Sequence, residues 1–274
     1  MRFPSFLRGA IVAVAALLAA SAPLRAGEAV DLALVLAVDV SGSVDAEEAR
    51  LQRNGYIAAF TDPQVIEAIA GGFLGKIAVI YFEWAGYGYH RVAVDWTVID
   101  GEASAKAFAA LLSVQPFHRA RGTSISDAIL WAIPAFESSG FETRRRVVDI
   151  SGDGANNSGP SVTRARDLAV AAGITINGLP IVERGGGFGY YSQGANLDQY
   201  FERCVVGGRN AFVIVANGFE DFANAVRQKL VLEISGRAPD PSSRHALLPP
   251  QGGFMTVAER GNSYPVFCDV PAFN

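Results

Sequence analysis

The feature that most restricts the fold of this chain is an unbroken apolar run, Asp31–Asp39 (DLALVLAVD), with a carboxylate at each end. A run without polar alternation suits a strand covered on both faces, as in a parallel sheet with helices on each side. Similar runs recur at Lys76–Trp84 (KIAVIYFEW), Arg146–Ser151 (RVVDIS), Ile174–Val182 and Ala211–Ala216 (AFVIVA). Helix-like segments separate them. Asp45–Thr61 has Asp45, Glu47 and Glu48 in its first turn, where the helix dipole favours acids, and Pro63 just beyond its end. Gly101–Ser113 follows the same period. Ser124–Ser138 places Ile125, Ile129, Ala132 and Phe136 on one face, and Pro134 is expected to kink or shorten it. Ser161–Ala172 stops at Gly173. A short helix is expected over Leu197–Val205, and Phe219–Leu232 turns Phe219, Phe222, Val226 and Leu230 inward. Arg91–Val98, after the Gly-rich turn Ala85–Gly88, reads as an antiparallel partner of the strand before it. The expected class is α/β: a doubly wound, mostly parallel sheet with one antiparallel edge strand.

The start of the chain reads differently. Arg2 and Arg8 precede an apolar stretch, Gly9–Ala22, and small residues lead to Ala26. This is the pattern of a secretory signal peptide over residues 1–26. The stretch is short of the roughly 20 residues a membrane span needs. Its removal takes away Arg2, Arg8 and Arg25, leaving 20 basic against 27 acidic residues and a net charge of −7. A mildly acidic exported chain has no electrostatic footprint for nucleic acid. No later apolar run is long enough to span a bilayer, so a periplasmic or extracellular location is expected. Residues 27–236 read as one domain and 237–274 as a tail rich in Pro, Ser and Gly. The two cysteines, Cys204 and Cys268, would meet an oxidising compartment. An even count there suggests one disulfide that staples the tail, against the alternative of two separate buried thiols.

In a doubly wound sheet, ligands bind beyond the carboxyl ends of the strands. The loops Val40–Val44, Ala85–Tyr89, Gly152–Ser158 and Glu183–Asn196 should share that edge, joined by His118–Thr123. Three of these segments offer oxygen ligands. The first carries Asp39, Ser41 and Ser43 in a D-x-S-x-S spacing, the second Thr123, and the third Asp153. Where a strand ends, residues i, i+2 and i+4 can turn to one side. Oxygen without sulfur or imidazole suits a hard divalent cation: Mg²⁺ first, with Mn²⁺ or Ca²⁺ as alternatives.

These motifs in this order (Asp39-Val40-Ser41-Gly42-Ser43, Gly122-Thr123-Ser124 and Asp153-Gly154 after an apolar strand) resemble a von Willebrand factor A domain over roughly Val30 to Ser235. The likeness is strongest to its single-domain secreted bacterial members. The resemblance implies a Rossmann-like fold with a metal-ion-dependent adhesion site. Ser41 and Ser43 would bind the ion directly, and Thr123, Asp39 and Asp153 directly or through water. An open position would take a Glu or Asp from a protein partner. Gly152 departs from the family's commoner apolar-Thr-Asp-Gly run, which bears on the placement of Asp153.

Other signals are weaker. Trp84, Tyr87, Arg121, Tyr190 and Tyr191 fall on the predicted loops, where aromatic and arginine side chains make good contact anchors. Ordinary packing explains them equally well. Gly185–Gly187 with Gly189 lacks the spacing of a phosphate-binding loop, so no nucleotide is expected. Asn156-Asn157-Ser158 reads as a turn. No catalytic residue stands out: a metal-assisted hydrolase would need a base from Glu83, Asp45 or His118. The remaining alternative is an envelope scaffold whose metal only ties loops together.

Overall fold

The computed structural model describes residues 27–182, 197–239 and 267–268. A five-stranded sheet forms its centre, in the order β4 (His90–Ile99), β3 (Ile77–Trp84), β2 (Leu32–Asp39), β6 (Arg146–Gly152), β7 (Ile174–Pro180). All pairs are parallel except β3 with β4. Two short strands, β1 (Glu28–Ala29) and β5 (Phe141–Glu142), pair beside it. The segment Ala211–Ala216 is not a regular strand. It nevertheless runs along the free edge of β7, where the Gly178 and Val182 amides donate to Phe212 and Ala216 and the Ile214 and Ala216 amides donate back. It thus satisfies an edge that would otherwise offer unpaired groups.

The apolar run that opened the sequence is β2, buried along its whole length at the centre of the sheet. Alternate residues separate its two faces. Leu32, Leu34, Leu36 and Val38 enter one core with α1 (Ala46–Phe60), α3 (Glu102–Ser113) and α7 (Phe222–Ser235). Ala33, Val35 and Ala37 enter the other with α4 (Ile125–Glu137) and α5 (Val162–Ala171).

Local chemistry sets the helix ends. Asp45 and Glu48 form a capping box on α1, with Asp45 Oδ1 accepting from the Glu47 and Glu48 amides and Glu48 Oε2 from the Asp45 amide. Pro63 does not merely follow that helix. With Asp62 as N-cap it starts α2 (Pro63–Ala70), an element absent from the sequence expectation. Helix α4 continues through Pro134 to Glu137. Leu197–Val205 is α6 (Leu197–Tyr200) continued by a π turn over Phe201–Val205. The last helix is a 3₁₀ turn, Phe219–Asp221, followed by α7.

Cys204, fully buried in the π turn, is disulfide-bonded to Cys268. Asp149 of β6 and Lys229 and Glu233 of α7 form a charged group sealed between helix and sheet. Among the described residues no helix is long and apolar enough to cross a membrane.

Candidate metal centre

The parallel registers align the carboxyl ends of the three central strands: Asp39 lies beside Trp84, and Val38 beside Ser151. The loops leaving those ends are bonded to one another. The Val40 amide donates to Trp84 (2.9 Å) and the Ala120 amide to Val40 (3.1 Å). The Gly86 amide donates to Arg121 (3.1 Å), the Ser124 amide to Ala85 (2.7 Å) and the Asn157 amide to Thr123 (2.8 Å). The Cα of Gly86 lies 3.2 Å from where a Cβ on Gly122 would stand, so two of these loops touch only because neither residue has a side chain there. The expected loop Glu183–Asn196 lies outside the described residues.

Within this rim the oxygens converge. Asp39 Oδ1 accepts the Ser41 amide at 2.7 Å, which curls the D-x-S-x-S turn back on the strand end. Ser41 Oγ and Ser43 Oγ are 3.0 Å apart, and Ser43 Oγ donates to Asp153 Oδ1 at 2.8 Å. Asp39 and Ser41 are buried, Ser43 is exposed and Asp153 half-buried, so the group opens outward on one side. Thr123 is also buried, its Oγ1 beside Gly154 in the same loop as Asp153.

The electrostatics are unfavourable to this group by itself. Burial pushes the Asp39 carboxyl up to about 8, and the neighbouring Asp153 charge pushes the same way, against the opposing Ser41 amide. Asp39 Oδ2 is buried without a hydrogen-bond partner. A buried, unpaired carboxylate oxygen is costly, and a divalent cation would remove both the desolvation and the repulsion. Among the described residues no three His, Cys, Asp or Glu side chains cluster as a metal site, so any ion here relies on hydroxyl oxygens beside the two carboxylates. The donor set fits a hard cation through Asp39, Ser41, Ser43, Thr123 and Asp153.

Gly152 has a steric reason. A Cβ there would sit 2.9 Å from Asp39 Oδ2 and 3.4 Å from Trp84 Cζ2. The β6 backbone thus passes directly under the unpaired oxygen, where a threonine would not fit. Gly152→Ala is expected to lower the unfolding free energy by about 1–3 kcal/mol, the usual range for overpacking. Urea denaturation measures this, and a variant as stable as wild type would show that the loop has slack.

The turn Asn156-Asn157-Ser158 does more than reverse the chain. Asn157 Oδ1 accepts the Thr123 amide (2.9 Å), Asn156 Oδ1 the Ser126 amide (3.0 Å) and Ser158 Oγ the Tyr87 amide (3.3 Å). Three side chains of one loop thereby position the Thr123 loop and the aromatic loop. Sequence reasoning missed this, because Asn and Ser are ordinary turn formers and their partners lie far off in the chain. Arg119 Nη2 donates to the Gly42 carbonyl at 2.6 Å, fixing the outside of the first turn.

The expected contact residues separate. Tyr87 and Arg121 are exposed beside the rim. Trp84 is fully buried: the last residue of β3, it points into the core under Gly152 and cannot present itself to a partner. Tyr190 and Tyr191 lie outside the described residues. Of the three candidate bases of a hydrolase, His118 is half-buried on the segment before Thr123 and the other two are held in other roles. Glu83 is buried between Arg53 (2.8 Å) and Arg91 (2.9 Å), and Asp45 caps α1.

A mostly parallel sheet flanked by helices, with these loops at its carboxyl edge, is the fold of a von Willebrand factor A domain, and solved structures agree. The pilus adhesin SpaC from Lactobacillus rhamnosus GG matches with a TM-score of 0.54 and 14% identity, over 76% of this chain and 31% of the other. Proximal thread matrix protein 1 from the mussel byssus matches at 0.52 and 15%, over 76% and 47%. A further structure of that mussel protein, at 0.50, carries a zinc-occupied MIDAS motif. A von Willebrand factor type A protein from Catenulispora acidiphila matches at 0.50 and 14%, over 75% and 43%. This chain thus spans less than half the length of each. At such identities the likeness is one of fold. Among curated proteins none matches in sequence. Residues 29–238 match the model of the family described as protein of unknown function DUF1194, and the chain belongs to that family.

Proposed function

We propose that this chain is an exported, divalent-cation-dependent protein-binding module. Asp39, Ser41, Ser43, Thr123 and Asp153 would hold the ion, with Mg²⁺ the first candidate and Mn²⁺ or Ca²⁺ the alternatives. A Glu or Asp side chain of a protein partner would complete its coordination. The observation that carries this reading is the buried, partnerless Asp39 Oδ2 beside a second carboxylate, in a rim that opens outward next to exposed Tyr87 and Arg121. The fold shared with a pilus adhesin and with a matrix protein that has a zinc-occupied MIDAS supports an adhesive role and a place outside the cytoplasm. Residues 1–26, read as a signal peptide, fit the same location. The hydrolase reading has less support, because Glu83 and Asp45 are committed to ion pairs and a helix cap.

Thermal unfolding during titration of each ion after chelation tests the centre. A ligand that binds only the folded state stabilises it by about 2.7 kcal/mol at one hundred times its Kd. The midpoint should rise with metal in wild type and stay fixed in Asp39→Ala. No rise in wild type would remove the metal and, with it, the adhesive reading. Capture of a partner that survives chelation would remove the role of the ion in binding.

A further inference from the structure

At the end of the sheet opposite the metal centre, the start of β6, the start of β7 and the last turn of α7 enclose a cavity of about 450 Å³. Five arginines line it: Arg144, Arg145, Arg146, Arg209 and Arg237. Arg145 is already engaged, since its guanidinium donates to the carbonyls of Glu233 and Ile234 at the end of α7. The other four have no acidic group within ion-pair distance and donate no side-chain hydrogen bond among the described residues. The one acid on the wall, Glu233, is buried against Lys229 and Asn177. We propose that this cavity binds a small organic molecule carrying two or more phosphoryl or carboxylate groups.

Charge makes the arrangement unusual for this chain. Acids outnumber bases by four over the whole sequence, so four unpaired guanidinium groups around one cavity do not reflect a generally basic surface. Like charges crowded together cost stability unless an anion joins them. Planar guanidinium forks match phosphoryl and carboxylate oxygens in pairs. The wall also supplies an apolar side from Val147, Phe212 and Leu232, suited to a carbon skeleton, and the volume falls within the usual range for small-ligand sites.

The cavity is built rather than accidental. Arg209 sits on a turn in which Asn210 takes a left-handed conformation (φ 58°), and Thr175 Oγ1 holds the Arg209 carbonyl at 3.2 Å. Such a backbone conformation in a residue other than glycine is uncommon and persists where its surroundings impose it. Here it belongs to the turn that brings Arg209 and Asn210 into the wall of the cavity.

Calorimetric titration of the purified protein with pyrophosphate, and separately with citrate, tests this at constant ionic strength, on protein stripped of divalent ions by chelator that is then removed by dialysis into metal-free buffer. Stripping keeps the proposed metal centre out of the readout without leaving a competing polycarboxylate in solution, and Asp39→Ala should bind both probes as wild type does. Saturable binding of either probe is expected, and which one binds identifies the oxyanion. Affinity should fall at least about tenfold in the double variant Arg144→Ala/Arg209→Ala, since each charge-assisted bond contributes that much or more. Both residues are exposed, and Arg146→Gln/Arg237→Gln gives an independent reading if the first pair perturbs folding. Absence of saturable binding by both probes, or binding unchanged in both double variants, overturns the proposal.

Discussion

Replacing Lys229 by methionine is expected to lower the unfolding free energy by about 3–5 kcal/mol, the loss typical of stranding a buried charge. Lys229 Nζ lies 2.6 Å from Asp149 Oδ1 and 2.5 Å from Glu233 Oε1, and all three side chains are shut off from solvent. One cation thus serves two carboxylates, with Asn177 Nδ2 donating to Glu233 at 2.8 Å. Removal of the cation leaves two acids facing each other in the core. Glu233→Gln takes away the surplus charge while keeping acceptors for Lys229 and Asn177, so it should be tolerated. The pH dependence follows from the same count. Burial pushes Glu233 up to about 7, and Asp149 adds to this, against Lys229 and Asn177; burial also raises Asp149. A carboxyl group whose folded pKa lies above its unfolded value of 4.5 contributes stability that is complete below 4.5 and lost as pH rises through about 7. Relative to Glu233→Gln, wild type should therefore lose on the order of 3 kcal/mol across that window. Comparing the two proteins cancels Asp39, whose shift has the same sign, and the nearby Tyr56 and Arg145 are common to both. Parallel stability profiles from urea titrations at several pH values would show that Glu233 carries no such charge.

This charged group shows where the sequence stops being informative. Lys229 falls in the last turn of the helix expected over Phe219–Leu232 and Glu233 just beyond it, and nothing local reveals that the two meet Asp149 and Asn177 on the sheet. The strand pattern was legible because burial on both faces leaves unbroken apolar runs, as in β2 and β3. Once those runs are aligned in parallel, Asp39, Ser41, Ser43 and Asp153 fall at one edge without further information. What could not be read depends on partners distant in the chain. Trp84 looks like a loop residue until the register puts it beside Asp39, beneath Gly152. The strand expected at Ala211–Ala216 has the composition of one, yet it meets β7 only through a few bonds at an edge. Helix α2 was hidden because Pro63 signals the end of one helix and the start of another equally well.

Reduction of the Cys204–Cys268 disulfide is expected to lower the unfolding free energy by about 4 kcal/mol, the chain-entropy value for a loop closed between residues 64 apart. The effect should reach the proposed metal centre. The Tyr200 hydroxyl donates to the Cys268 carbonyl at 3.3 Å and accepts the Asn156 amide at 3.2 Å. Asn156 and its neighbour Asn157 in turn hold the Ser126 and Thr123 amides. The segment around Cys268 is therefore connected, through one tyrosine, to the loop that positions a proposed ligand of the ion. Cys204→Ala/Cys268→Ala should lose stability to the same extent as chemical reduction, and its metal-induced thermal shift should be smaller than that of the oxidised protein. Tyr200→Phe separates the two consequences: it leaves the cross-link intact and removes only the bridging hydroxyl. A reduced metal response in Tyr200→Phe with most of the stability retained would assign the coupling to that hydroxyl. A full metal response in both variants would confine the disulfide to holding Cys268 against Cys204.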